Sequence, residues 1–197
     1  HQRGKCISNS TDLFSSYNWS EVIFRTYNFK LFHFVNKKNN NSIPFTVVNN
    51  LKGRQVISLP FCDYIECNIT QKDDYISFVE YSKNEYSGSP IVLKTNYSNN
   101  IDLGIIIRNS VYHTIDMTKE VIQSAAFLRG VRKAKVCDLV INHENSISGL
   151  QKFYQMYAIL RINKFNIIPQ PFSFFRTIYD IFIANSLGDI ITVSQNN

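Results

Sequence analysis

Apolar residues recur at helical spacing through the last third of the chain. From Leu150 to Ile183 it reads LQKFYQMYAILRINKFNIIPQPFSFFRTIYDIFI. Phe153, Met156, Tyr157 and Leu160 follow one another at steps that stack them on one face of a helix. Ser148 and Gln151 stand in capping-box spacing and predict where that helix starts. Pro169-Gln170-Pro171 closes the intervening loop, and Pro171 suits the first turn of the next helix. The second helix repeats the pattern with Phe174, Phe175, Ile178, Ile181 and Phe182. Taken alone, this pattern describes a helical hairpin packed on a sheet.

Upstream the period changes to that of strands. A helix over 12–27, around Trp19 and Val22, precedes strands near 30–35, 43–49 and 55–60. Asn39-Asn40-Asn41 and the stretch from Asn50 to Gly53 supply the turns, and Asn36 to Asn41 is the expected disordered tip. Thr70 and Asp73 predict the start of a helix whose inner face carries Tyr75, Phe78, Val79 and Ser82. Strands near 90–96, 103–108 and 111–116 come next. Thr118 then caps a helix carrying Val121, Ile122 and Ala125. A helical piece over 127–135 and a strand near 136–142 lead into the hairpin. Adjacent strands broken by helices imply an α+β fold, a mostly antiparallel sheet with helices packed on it. No internal repeat and no flexible linker stand out.

Composition narrows the class. A chain of 197 residues, 44% hydrophobic, can bury one good core, and one domain is favoured over two. Arg176 and Asp180 interrupt the most apolar segment, so no spanning helix is predicted. The first residues hold no uninterrupted apolar stretch of the secretory kind. Asn-x-Ser/Thr recurs at Asn9, Asn18, Asn40, Asn68 and Asn96, which a chain so rich in Asn and Ser explains without glycosylation. Cys6, Cys62, Cys67 and Cys137 are too sparse for a disulfide framework. Cys62 and Cys67 lack a second ligand pair, and His143-Glu144 lacks a partner histidine, so no metal is expected. His113 falls in a strand pattern as a structural histidine. A nucleophile elbow, a P-loop and a dinucleotide glycine motif are all missing.

The formal charge is +6, and part of it is concentrated. Arg129, Arg132 and Lys133 share one helical face, with Lys135 just beyond. Two readings stand: a solvated helix face, or an anion site for a diphosphate, a CoA phosphate or an RNA backbone.

Three ordered segments resemble the FemAB family of GNAT-like acyl- and aminoacyltransferases. They are Leu59-Pro60-Phe61-Cys62-Asp63-Tyr64; His113 to Met117 followed by Arg129-Gly130-Val131-Arg132-Lys133-Ala134; and Phe153-Tyr154, Tyr157, Leu160-Arg161, Lys164, Pro169-Gln170-Pro171 and Phe174-Phe175. The likeness covers about residues 55 to 185. Ile65-Glu66 replaces the Gly-Gly that follows Asp-Tyr in the family, so that turn must be built differently. Asn166 stands for the usual glycine and tolerates the same left-handed backbone. The Arg/Gln-x-x-Gly-x-Gly/Ala pyrophosphate loop of an acetyl-CoA-binding GNAT is absent. Family members continue through a second lobe, so residues 1–187 are read as one GNAT-like lobe and 188–197 as the start of another, in a fragment or processed chain.

The resemblance implies an acyl- or aminoacyltransferase acting on an amine or hydroxyl of a peptidoglycan or exopolysaccharide precursor in the cytoplasm. No bound cofactor is implied; the donor would be an acyl-CoA or an aminoacyl-tRNA. Asp63 is the implied catalytic residue, orienting or deprotonating the nucleophile, with turn capping as its alternative. Tyr64, Tyr157 and Arg161 would bind substrate, Arg161 as a clamp on carboxylate or phosphate. Arg129, Arg132 and Lys133 would take a reactant anion. Implied partners are an anionic envelope precursor, tRNA and the inner membrane face, with no DNA. The competing reading is a non-catalytic, truncated lobe that binds an anionic ligand or a partner protein. RNA binding as an end in itself ranks last, because the aromatics keep core-like spacing.

Overall fold

The computed structural model describes residues 13–14, 16–50, 53–62, 72–94, 116, 118–119 and 123–195. The chain divides into two compact units, His1–Leu103 with Pro171–Phe182, and Gly104–Gln170 with Ile183–Asn197. Thr70, His113, Val121 and Ile122 lie outside the described residues, as do the strand expected over 103–108 and all but Asp116 of the strand expected over 111–116.

The first unit opens with helix α1, Tyr17–Tyr27. Ser16 caps it by accepting the Trp19 amide, and Asn28 ends it in the left-handed conformation, φ 56°. Strands β1 (Leu31–Val35), β2 (Ser42–Asn50), β3 (Gly53–Ile57) and β4 (Ile91–Val92) form one sheet in the order β1-β2-β3-β4. The first two pairings are antiparallel, with Phe32 opposite Phe45 and Val47 opposite Val56. β3 and β4 run parallel, because helix α2 (Lys72–Glu85) lies between them in the chain.

The expected inner face of α2 is the observed one: Tyr75, Phe78, Val79 and Ser82 are all buried. They form one core with Ile43, Phe45, Val56, Leu59 and Cys62. Phe78 packs 5.4 Å from the Phe45 ring and is fully buried, a contribution of about 1.5–3 kcal/mol. Helix α5, Phe172–Ile181, packs on α1 in a second core of Trp19, Val22, Ile23, Phe174 and Phe182.

The asparagine-rich tip between β1 and β2 is held, contrary to expectation. The buried carboxylate of Asp74 accepts side-chain amides from Asn36, Asn39 and Asn41, the last at 2.7 Å. Burial pushes the Asp74 carboxyl up, but the bonds from Asn41, Asn36 and Asn39 outweigh it and leave its pKa below the ordinary value. A charge from a distant helix thus orders a turn that reads locally as loose.

The second unit holds helix α3 (Ala125–Val136), strand β5 (Leu139–His143), helix α4 (Ile147–Phe165) and strand β6 (Ile191–Gln195). Ser124 caps α3 by accepting the Phe127 amide at 3.2 Å, while Thr118 bonds Asp116 instead. β5 starts later than expected because α3 runs on to Val136 and Asp138 then turns at φ 45°. β6, the segment expected to open a further lobe, pairs antiparallel with β5, Ile141 opposite Val193.

Ser146, not Ser148, caps α4, accepting the Gly149 amide at 3.0 Å. The reason is steric. A Cβ at residue 149 would come within 2.3 Å of the Glu144 carbonyl oxygen, so only glycine lets the preceding chain fold against this first turn. The described residues thus form an α+β fold with mostly antiparallel strand pairing. No helix among them is long and apolar enough to cross a membrane.

Candidate functional site

The expected helical hairpin is divided, with α4 in the second unit and α5 in the first. On α4 the apolar stripe that predicts the helix is not its packed face: Phe153, Met156 and Leu160 are exposed. Tyr154, Tyr157, Ala158 and Arg161 are the half-buried residues of its middle turns, at helical spacing. Hydrogen bonding explains the rotation. The Tyr154 hydroxyl donates to the Gln170 carbonyl at 3.1 Å, and the Tyr157 hydroxyl accepts the Gln170 amide at 3.3 Å. Two tyrosines on one face therefore grip both backbone groups of the residue between Pro169 and Pro171. Apolar side chains cannot satisfy those groups, so the tyrosine face turns toward the loop.

The loop is set up by the end of α4. Asn166 takes the left-handed conformation, φ 49°, which asparagine tolerates. Its amide donates to Ile162, and the Ile167 amide donates to the Arg161 carbonyl at 3.0 Å. The backbone of Arg161 is thereby tied to the same turn that its side chain overlooks.

Arg161 is the chemically pointed member of the group. Its guanidinium lies over the Tyr157 ring, 5.9 Å from the centroid. Its Nε is closed off from solvent and has no hydrogen-bond partner. A buried donor left unmet costs about 1–3 kcal/mol. Arginine presents its donors as a planar fork, matched to carboxylate or phosphate. Phe153 stacks on the other neighbour, 6.1 Å from Tyr157. Of the residues expected to bind substrate, Tyr157 and Arg161 are thus brought together.

Arg129, Arg132 and Lys133 form a separate group on α3, all exposed. Arg132 Nε reaches back to the Leu128 carbonyl at 3.4 Å, along its own helix.

Asp63 and Tyr64 lie outside the described residues, but the turn that leads to them is described. It stands at the carboxyl ends of the parallel pair β3 and β4, where α/β sheets commonly place their sites. Phe61 has φ 59°, a costly backbone for a bulky residue. Its ring is stacked 5.0 Å from Tyr27 and lies 5.5 Å from Phe174, contacts that hold the conformation in place. The buried Cys62 thiol donates to the Leu59 carbonyl at 3.2 Å. Lys94 closes the turn from β4: its Nζ donates to the Cys62 carbonyl at 2.6 Å, while its amide donates to Ser58 Oγ at 2.9 Å.

Lys94 is the residue that sequence reading missed. Its only local signal is a cation directly after the apolar Ile91-Val92-Leu93 strand. Among the described residues no cluster of His, Cys, Asp and Glu could hold a metal ion.

The described residues thus make an α+β protein in which a half-buried arginine lies over a tyrosine ring. Compared with models of known families and with curated protein sequences, the chain matches none.

Proposed function

We propose that this chain is a GNAT-like acyl- or aminoacyltransferase of FemAB type, acting on an anionic cell-envelope precursor. The observation that carries the reading is Arg161, stacked on Tyr157 with a buried and unmet Nε beside the gripped Pro-Gln-Pro loop. Those residues belong to the segment that most resembles the family. The strained, braced turn before Asp63 supports it from the other motif.

In this reading Arg161 clamps a carboxylate or phosphate of the acceptor, and Tyr157 keeps the fork oriented. Tyr64 lines the acceptor groove. Asp63 accepts a proton from the acceptor amine as its nitrogen attacks the acyl carbonyl carbon. A C–N bond forms, and the C–S bond of a thioester or the C–O bond of an aminoacyl ester breaks. The electron pair leaves on CoA sulfur or on the ribose oxygen of tRNA. Positioning supplies most of the rate, so no triad is needed. Lys94 is a positioning residue that secures the carbonyl immediately before Asp63. Arg129, Arg132 and Lys133 offer their charge to phosphates of the donor or precursor. A cytoplasmic location follows from the donors, both of which are cytoplasmic.

Calorimetric titration with CoA thioesters and with charged tRNA, followed by a radiolabelled transfer assay, tests this reading. Saturable binding of one donor class, with transfer abolished by Asp63→Asn, supports the enzyme. Binding of anionic precursor without any transfer sinks catalysis and leaves a non-catalytic anion-binding lobe.

A further inference from the structure

Helix α3 carries Arg129, Arg132, Lys133 and Lys135 and contains no acidic residue; Asp138 is the first acid after it. None of its residues is buried, and only Val131 and Ala134 are even half-covered. The turn of the helix therefore settles which face is open. Val131 and Ala134 mark one side, and Arg129, Arg132 and Lys133 occupy the opposite side. Aliphatic side chains break into this basic face: Leu128 is 41% exposed and Val136 84% exposed. Phe127, 54% exposed, does not belong to this face: it projects between Val131 and Ala134.

Such a surface combines two properties that water alone does not reward. Concentrated like charge repels itself, and bare Leu and Val side chains lose free energy in contact with water. An anionic lipid surface answers both, because its headgroups attract the cations while its acyl boundary takes the aliphatic groups. A nucleic-acid backbone answers the charge only. It has no place for Leu128 and Val136, and this face offers no aromatic ring for stacking bases.

We infer that α3 is a docking face for a bilayer bearing anionic lipid, with Arg129, Arg132, Lys133 and Lys135 on the headgroups and Leu128 and Val136 against the acyl boundary. The inference needs no reaction and stands without Asp63 or Arg161; it gives to lipid headgroups the α3 cations that the transferase reading offers to reactant phosphates. It commits the second unit to a surface orientation with α3 facing the lipid. A Lys or Arg near such a surface raises the partition coefficient about fivefold, so four together raise it by about 600-fold. The helix-terminal position of Lys133 and Lys135 also complements the helix dipole, which keeps α3 formed when the cations are engaged.

The test is co-sedimentation of the full 197-residue chain with vesicles. Vesicles of phosphatidylcholine with phosphatidylglycerol are compared with vesicles of phosphatidylcholine alone. The chain should sediment with the anionic vesicles only, and added salt should release it. R129A/K133A should lower the partition coefficient by about tenfold or more. L128S/V136S, which keeps every charge, should lower it severalfold with helical circular dichroism unchanged. Equal binding to uncharged vesicles, or wild-type binding that ignores salt, overturns the inference without requiring any variant to fold. Tighter binding to a structured RNA at equal phosphate, with L128S/V136S indistinguishable from wild type, overturns it in favour of a nucleic-acid face.

Discussion

The guanidinium of Arg161 lies over the ring of Tyr157 while the hydroxyl of that tyrosine accepts the backbone amide of Gln170. One side chain therefore makes two contacts: its hydroxyl holds the loop and its ring lies under the arginine. The Arg161 Nε adds no hydrogen bond to the fold and stands as a local cost to it.

Arg161→Ala should lower affinity for an anionic acceptor by about tenfold or more, the loss of one charge-assisted hydrogen-bonded pair. The melting temperature should hold or rise slightly, since a buried unmet donor is removed. Arg161→Lys should not restore binding, because an ammonium lacks the planar fork. Calorimetric titration beside a thermal melt checks all three outcomes, and full rescue by lysine would count against the clamp.

Tyr157→Phe keeps the stacked ring and deletes the hydroxyl. The expected cost is about 1 kcal/mol, with faster hydrogen exchange at the Gln170 amide. Exchange at Gln170 that stays at the wild-type rate would show that the tyrosine does not hold the loop.

Gly149→Ala places a methyl group 2.3 Å from the Glu144 carbonyl oxygen, a backbone atom that cannot swing away. Helix propensity alone would favour alanine by about 1 kcal/mol. The clash reverses the sign, and urea denaturation should show a net loss of about 1–3 kcal/mol.

Phe174 is buried and makes ring contacts with Trp19, Tyr27, Phe61 and Phe175. Phe174→Ala should cost about 3–5 kcal/mol. It should also free Phe61 from its strained backbone. A variant that loses less than about 1 kcal/mol would mean that the core of α1 and α5 relaxes around the gap.

Asp74 gives the pH dependence. Its folded pKa is lowered, so its contribution is fully present above the ordinary carboxylate value of about 4 and is lost as pH falls through the folded value. His33, lowered by burial, acts in the same direction at higher pH: its contribution is lost as pH drops below about 6.5. Asp74→Asn should destabilise the protein by about 1–3 kcal/mol at neutral pH and by much less in acid, while the His33 step persists. Denaturation midpoints across pH for both proteins distinguish the two groups.

Strand and helix periods were legible wherever one element buries one face. The inner face of α2 is an example: Tyr75, Phe78, Val79 and Ser82 repeat at helical spacing, and all are buried against the sheet. The left-handed end of α4 was legible for the same local reason, since Asn166 tolerates that backbone. The start of α4 was not legible, because two serines offer the same cap chemistry. The packing of Gly149 on Glu144 chose between them. The face of α4 was misread as well, because periodicity counts apolar atoms and cannot see that Tyr154 and Tyr157 both reach one backbone residue.

The site follows the same division. Arg161, Tyr157 and the basic triad of α3 could be named from motif and spacing. Lys94 could not, because its partner carbonyl at Cys62 is 32 residues away in the chain.

Sequence by itself determined the types of α1, α2, α4, α5 and the strands β1 to β3, the inner face of α2, the left-handed turn at Asn166 and the grouping of cations on α3. These depend on neighbours within a few residues, where backbone geometry alone sets distance. Only tertiary structure decided that Asp74 orders the Asn36–Asn41 tip, that Lys94 braces the turn before Asp63, and that Arg161 lies on Tyr157 with a donor unmet. Each of these joins a polar group to a partner or a burial state that depends on where other elements pack. Hydrogen bonds and desolvation act over ångströms in space, and the spacing of residues along a chain carries no record of that distance.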